Sequence, residues 1–246
     1  MTDWLSEFNQ DGFAIARGIA RLDTVEALRS AFGDPDAGAG ITGRAGAVYA
    51  KRRALAIPAV RSWATSGAAS ELACAVLGAG AQPVRAILFD KRPEANWPVA
   101  WHQDVTVAVR ERREVEGYGP WSVKAGVPHV QPPAAVLERM VTVRLHLDDC
   151  PPSNGALRVV AGSHRPGKRT PAGVREAVRA GRHVTCAARA GDAVLMRPLL
   201  LHSSAPSEAP RHRRVVHVEY ASAPLAGGLG WAEATFGEPD PQGRPT

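Results

Sequence analysis

Two stretches of regular alternation constrain this chain more than any other feature. From 140 to 148, Val141, Val143, Leu145 and Leu147 fall on one side, while Thr142, Arg144, His146 and Asp148 fall on the other. From 213 to 220, Val216, Val218 and Tyr220 stand opposite Arg213, His217 and Glu219. Successive side chains of a strand point to opposite faces, so each stretch predicts a strand with one apolar and one polar side. A β-sandwich whose inner face is polar builds a site there, and its apolar outer face needs a cover.

The rest of the chain supplies both. Short strands are predicted at Val84–Asp90, Val99–Trp101, Ala156–Val160 and Ala193–Met196, separated by turn signals, which argues for a β-sandwich or barrel. The N-terminal part reads as helical at residues 3–9, Leu22–Phe32, Ala59–Thr65 and Ser70–Leu77, with a strand from Phe13 and a Gly/Asp/Pro-rich loop over Gly33–Gly46. These helices are the expected cover. Val107–Arg139 mixes charges, glycines and prolines and reads as a long irregular lid. One domain over 1–236 and a loose tail over 237–246 complete the expected organisation.

The net charge of +6 raises nucleic acid as a partner, but the basic clusters Lys51–Arg53, Arg110–Arg113 and Arg211–Arg214 are short, and the middle one is interleaved with acid. No nucleic-acid role is expected. No apolar run reaches membrane-spanning length, and the acidic opening lacks the basic start of a signal peptide. Cys74, Cys150 and Cys186 are odd in number and scattered, which points to reduced thiols and a cytoplasmic protein. Nothing marks an oligomeric state.

The histidines carry the chemistry. His102-Gln103-Asp104 sets an imidazole and a carboxylate on one side of an extended segment, and a distant His202 completes a two-histidine, one-carboxylate face of the kind that suits non-haem Fe(II) with open positions. His146-Leu147-Asp148 has the same spacing, and His217-Val218-Glu219 offers a glutamate instead. Composition does not choose among the three. Arg213, eleven residues past His202, has the planar fork that grips a carboxylate at two points.

Resemblance does choose. Trp101-His102-Gln103-Asp104 resembles the metal signature of the phytanoyl-CoA dioxygenase family of Fe(II)/2-oxoglutarate oxygenases. Further segments agree in order: Asp11-Gly12-Phe13, Leu88–Pro93, Asn154–His164 and Gly191–Ser204. The resemblance implies a double-stranded β-helix (a cupin-like jelly roll) with N-terminal helices packed on one sheet. It implies His102, Asp104 and His202 as iron ligands, Arg213 as partner of the far carboxylate of 2-oxoglutarate with Ser204 as helper, and Gln103 on the cosubstrate side. Where some relatives carry a second polar residue two beyond the arginine, this chain has Val215.

The implied activity is hydroxylation of an unactivated C–H bond with 2-oxoglutarate and O2 as cosubstrates, releasing succinate and CO2. Related halogenases replace the carboxylate ligand by a small residue; Asp104 is present, which favours hydroxylation. The substrate is expected to be a small molecule, such as an amino acid, a natural-product acid or a biosynthetic intermediate, free or tethered to a carrier protein or coenzyme A. Arg144, His146, Trp97, Trp101 and Thr106 are the expected substrate contacts. The alternatives are a catalytically silent metal- or 2-oxoglutarate-binding sensor, and desaturation or another oxidative outcome on the same site.

Overall fold

The computed structural model describes residues 4–33, 41–44, 47–92, 96–208 and 212–234. Its helices are α1 (Trp4–Asp11), α2 (Leu22–Gly33), α3 (Pro58–Thr65), α4 (Gly67–Leu77), α5 (Ala134–Glu138) and α6 (Pro171–Ala180). The first strands are β1 (Phe13–Ala16), β2 (Ile41–Arg44), β3 (Ala47–Arg52), β4 (Gln82–Lys91), β5 (Val99–His102), β6 (Val107–Ala108), β7 (Trp121–Lys124) and β8 (Val127–Val130). The rest are β9 (Met140–His146), β10 (Leu157–Val160), β11 (His183–Cys186), β12 (Ala193–Met196), β13 (His202–Ser204) and β14 (Arg213–Ala221). The expected tail over 237–246 and most of the expected Gly33–Gly46 loop lie outside the described residues. Within that loop, Ile41–Arg44 form a strand paired with β3.

Both alternating stretches lie side by side at the centre of a seven-stranded antiparallel sheet, in the order β1-β12-β9-β14-β4-β3-β2. Their apolar sides form the main core. Val141, Val143, Leu145, Leu147, Val216, Val218 and Tyr220 pack with Phe8, Val25, Leu28, Val60, Trp63 and Ala73 of the first four helices. Each fully buried side chain of this kind stabilises the fold by roughly 1.5–3 kcal/mol. Polar ties fix the cover: Arg29 of α2 donates to the Leu147 carbonyl at 3.0 Å, and the Tyr220 hydroxyl donates to the Ala64 carbonyl at 2.9 Å. The helices therefore cover one sheet, as the sequence predicts.

Opposite the polar face lies a four-stranded sheet, β11-β10-β13-β5. The two sheets make the jelly roll. On one side they meet through Phe13, Leu157, Val159, Val194, Met196 and Leu200, a dry inter-sheet cluster; on the other they stay apart and leave a cavity. Among the described residues no helix is long and apolar enough to cross a membrane.

The segment read as an irregular lid is ordered. Residues 107–139 form the three-stranded sheet β6-β8-β7 and helix α5. Val107, Val109, Tyr118, Val130 and Leu137 are buried there with Leu199, Leu225 and Trp231. The strands were hidden because each is short and the apolar residues that seal them come from distant positions. β7 and β8 are joined by Ala125 and Gly126, with φ of +49° and +77°. Positive φ at both central residues makes the two-residue turn whose twist matches that of its strands.

Candidate active site

The cavity between the sheets has a volume of about 260 Å³. β14 lines it with Arg213, Val215, His217 and Glu219, and β4 with Arg85, Ile87, Phe89 and Lys91. The facing wall carries Val99, His102, Asp104, His202 and Ser204. Here the alternation of β14 and β4 turns one side to the helices and the other to the site.

His102, Asp104 and His202 bring one ligand atom each within 4.8 Å of one another, and they form the one such cluster among the described residues. One Asp104 oxygen lies 3.6 Å from His102 Nε2 and the other 3.6 Å from His202 Nε2. The two imidazoles sit on neighbouring strands in direct register, with ring centroids 4.2 Å apart. His102 Nδ1 donates to the Ala100 carbonyl at 2.8 Å, and His202 Nδ1 to the Leu200 carbonyl at 2.9 Å. A carbonyl only accepts, so both Nδ1 atoms carry the proton and both Nε2 lone pairs face the carboxylate. Burial opposes charge on Asp104, but His202 and His102 outweigh it and hold the carboxyl well below its usual range. Burial pushes His202 down to about 4, so it is a neutral ligand at pH 7. Burial opposes charge on His102 too, but Asp104 outweighs it and raises its pKa, so an iron ion would displace the added proton. With His202 neutral, two imidazoles, one carboxylate and an open side toward the cavity fit Fe(II).

The rival pairs are otherwise engaged. Asp148 takes Arg214 in a two-point grip, Nε to Oδ2 at 2.9 Å and Nη2 to Oδ1 at 2.6 Å. Glu219 accepts from Arg85 at 2.8 Å and from His217 Nε2 at 3.3 Å, while His217 Nδ1 accepts from Arg144 at 2.7 Å. That relay from Arg144 through His217 and Glu219 to Arg85 runs along the cavity wall.

Arg213 is buried at the cavity, and its Nη1 donates to the Gly155 carbonyl. Gly155 has φ +65°, and a Cβ there would stand 2.5 Å from the Ala205 carbonyl oxygen and 3.5 Å from Arg213 Nη1. The Asn-Gly turn therefore shapes the arginine's seat. Lys91, which sequence reasoning missed, donates to the Ser204 hydroxyl at 3.0 Å and the Ala205 carbonyl at 3.1 Å, with its ammonium 5.2 Å from the Trp97 ring centroid. Burial, then the charge of Arg213, lowers its pKa to about 7. Its signal was available: Arg85, Ile87, Phe89 and Lys91 share one parity on β4. Ser204, Trp97, Thr106 and Arg144 reach the cavity as expected.

Three expected contacts do not line it. Gln103 is spent on structure: its amide nitrogen donates to the Gly167 and Leu199 carbonyls at 2.9 and 2.6 Å, and its oxygen accepts from the Arg169 amide at 2.8 Å. Trp101 turns outward, its ring 5.0 Å from that of His183 and 5.4 Å from the Arg158 guanidinium carbon. The cause is alternation: His102 faces in, so its neighbour Trp101 faces out, while a bulge, with His102 paired to His202 and Val99 to Ser204, turns Val99 inward as well. His146 lies on the inward side of β9 but is sealed, 2% exposed, and burial followed by Arg144 lowers its pKa to about 3.

No curated protein sequence matches the chain. Solved structures share its fold. AviO1 from Streptomyces viridochromogenes Tue57 is 23% identical at TM-score 0.65, covering 91% of this chain and 96% of that one. SnoK, a non-heme alpha ketoglutarate dependent carbocyclase from nogalamycin biosynthesis, is 18% identical at TM-score 0.70, covering 95% and 87%. EctD from S. alaskensis, solved with 2-oxoglutarate and 5-hydroxyectoine, is 20% identical at TM-score 0.71, covering 90% and 76%. A model of the phytanoyl-CoA dioxygenase (PhyH) family matches residues 8–215, which include the His102–Asp104–His202 cluster and Arg213. The chain belongs to the phytanoyl-CoA dioxygenase family.

Proposed function

We propose that the protein is an Fe(II)- and 2-oxoglutarate-dependent dioxygenase that hydroxylates an unactivated C–H bond of a small molecule, releasing succinate and CO2. One observation carries this reading: the His102–Asp104–His202 cluster and the buried Arg213 line the same cavity. A zinc hydrolase would use the triad but would have no task for the arginine.

His102, Asp104 and His202 would hold the metal at the cavity wall. Bound there with 2-oxoglutarate and O2, ferrous iron supplies the oxidative decarboxylation and the oxidising power for C–H cleavage. Arg213 grips the far carboxylate of the cosubstrate, with Ser204 and Lys91 beside it. Ile87, Phe89, Val99, Leu157 and Val215 keep water from that wall. Three free cysteines suit a reducing cytoplasm.

SnoK, which shares the fold, is a carbocyclase, and EctD was solved with 5-hydroxyectoine. The outcome here is read from product mass: a gain of one oxygen supports hydroxylation, and a loss of two hydrogens means desaturation or ring closure. The test is succinate release from Fe(II), 2-oxoglutarate and a panel of small metabolites, free and as coenzyme A or carrier-protein thioesters. Tight 2-oxoglutarate binding without succinate from any of them would make the site a sensor.

A further inference from the structure

The cavity holds more positive charge than the proposed cosubstrate uses. Six cations line it, Arg52, Arg85, Lys91, Lys124, Arg144 and Arg213, against two carboxylates, Asp104 and Glu219. Both carboxylates are committed, Asp104 to the metal cluster and Glu219 to Arg85 and His217. A ferrous ion and a 2-oxoglutarate dianion cancel one another, so the loaded cavity keeps its cationic excess. A cavity whose cations outnumber its carboxylates draws anions.

The excess has a place. Lys124 is the last residue of β7, delivered to the cavity by the Ala125–Gly126 turn. Its ammonium donates to the Thr106 hydroxyl at 2.9 Å, two residues beyond Asp104. Among the described residues no carboxylate lies within ion-pair distance of it. Arg52 at the end of β3 and Arg85 on β4 line the same cavity from the large sheet. The three are close enough to act on one another: after burial, Arg85 and Arg52 depress the Lys124 pKa, and burial followed by Arg85, Lys124 and Arg52 lowers buried His129 to about 4.

Building on the dioxygenase reading, we infer that Lys124, with Arg52 and Arg85, forms a substrate subsite for an anionic group, a carboxylate or a phosphate, held beside the metal cluster and apart from the Arg213 pocket. The substrate is therefore an acid, and the β7–β8 hairpin selects it. Thr106 orients the ammonium, which makes that hydroxyl a positioning residue. Arg144, another arginine on the cavity wall, donates to His217.

Calorimetric titration with inorganic phosphate and with hexanoate, on protein loaded anaerobically with Fe(II) and 2-oxoglutarate, tests this. At least one anion should bind wild type, with Lys124→Gln weakening it at least tenfold, Lys124→Arg restoring it to within threefold, and 2-oxoglutarate affinity unchanged in both variants. Preference between the two probes tells a phosphate substrate from a carboxylate. Equal binding by Lys124→Gln and wild type, or no binding of either anion, overturns the subsite. So does binding lost in Arg213→Ala but kept in Lys124→Gln, which would put the anion in the cosubstrate pocket. Should 2-oxoglutarate itself fail to bind while the anion still depends on Lys124, the dioxygenase reading falls and the subsite stands.

Discussion

Arg213 and Arg214 are adjacent on one strand and serve opposite faces of the sheet: Arg213 points into the cavity, and Arg214 clamps Asp148 at the end of β9 with two parallel hydrogen bonds. The Arg214 backbone amide adds a third bond to the same carboxylate at 2.9 Å. One dipeptide thus gives one guanidinium to the cavity and spends the other on a structural lock.

Asp148→Asn should cost about 1.5–3 kcal/mol, the scale of a hydrogen-bonded charged pair that is half-buried. Burial raises the Asp148 pKa, but the bonds from Arg214 and its charge outweigh this and leave it lowered. A carboxylate depressed in the folded state stabilises fully above its unfolded pKa, near 4, and the contribution fades as pH falls through the folded value. Melting temperatures of wild type and Asp148→Asn should differ clearly at pH 7 and converge toward pH 3. A constant gap would show that the clamp is not electrostatic.

Metal content decides the choice among the histidine–carboxylate pairs. His102→Ala and Asp104→Ala should each abolish stoichiometric iron, while His146→Ala should retain it, since His146 is sealed away from the cluster. Iron lost only in the His146 variant would reverse the assignment.

Truncating Arg213 to Ala should weaken 2-oxoglutarate by about 2–5 kcal/mol, the range for removing one partner of a hydrogen-bonded charge pair. Lys91 adds a pH dependence. With its pKa lowered to about 7, it is charged below neutrality and loses its proton above it. Cosubstrate affinity should therefore fall as pH rises from 7 to 9, by up to about tenfold per unit. Lys91→Met should bind weakly and show a flat profile over that range; a profile that still falls would exclude Lys91 as its source.

Ala125 sits at φ +49°, where a Cβ costs roughly 1–2 kcal/mol and asparagine is better tolerated. Ala125→Asn converts the turn to Asn-Gly and should stabilise by about 1 kcal/mol, a rise of roughly 2–4 °C for a chain of this size. A thermal shift assay measures it, and a lowered melting temperature would refute the turn assignment.

The parts legible in the sequence were those written in local periodicity. Alternation in 140–147 and 213–220 separated the face under the helices from the face toward the site, but it failed at Asp148, which lies past the end of β9 and turns to Arg214 and Arg29 on the helix side. It did not show which inward residues reach open space. His146 and Arg144 share a parity, yet one is sealed and the other lines the cavity, a difference set by the opposing sheet. Trp101 was misplaced although alternation from the inward His102 turns it out; the inward Val99 is what the bulge against β13 sets, and that leaves no mark in β5 itself. The ordered 107–139 segment was missed for a related reason: its core is completed by Leu199, Leu225 and Trp231, far along the chain.

β5 is the outermost strand of the smaller sheet, and β13 is its one hydrogen-bonded neighbour there. His102 ends the first and His202 begins the second, so an ion shared by their imidazoles would add a rivet to an edge that the Gln103 side chain and the Asp104 amide tie just beyond it. Chelation should then loosen the Val99–His102 segment ahead of the rest of the jelly roll, visible as faster amide exchange confined to that edge. Affinity for iron and the integrity of this border would be one quantity, set by how well two short strands hold together.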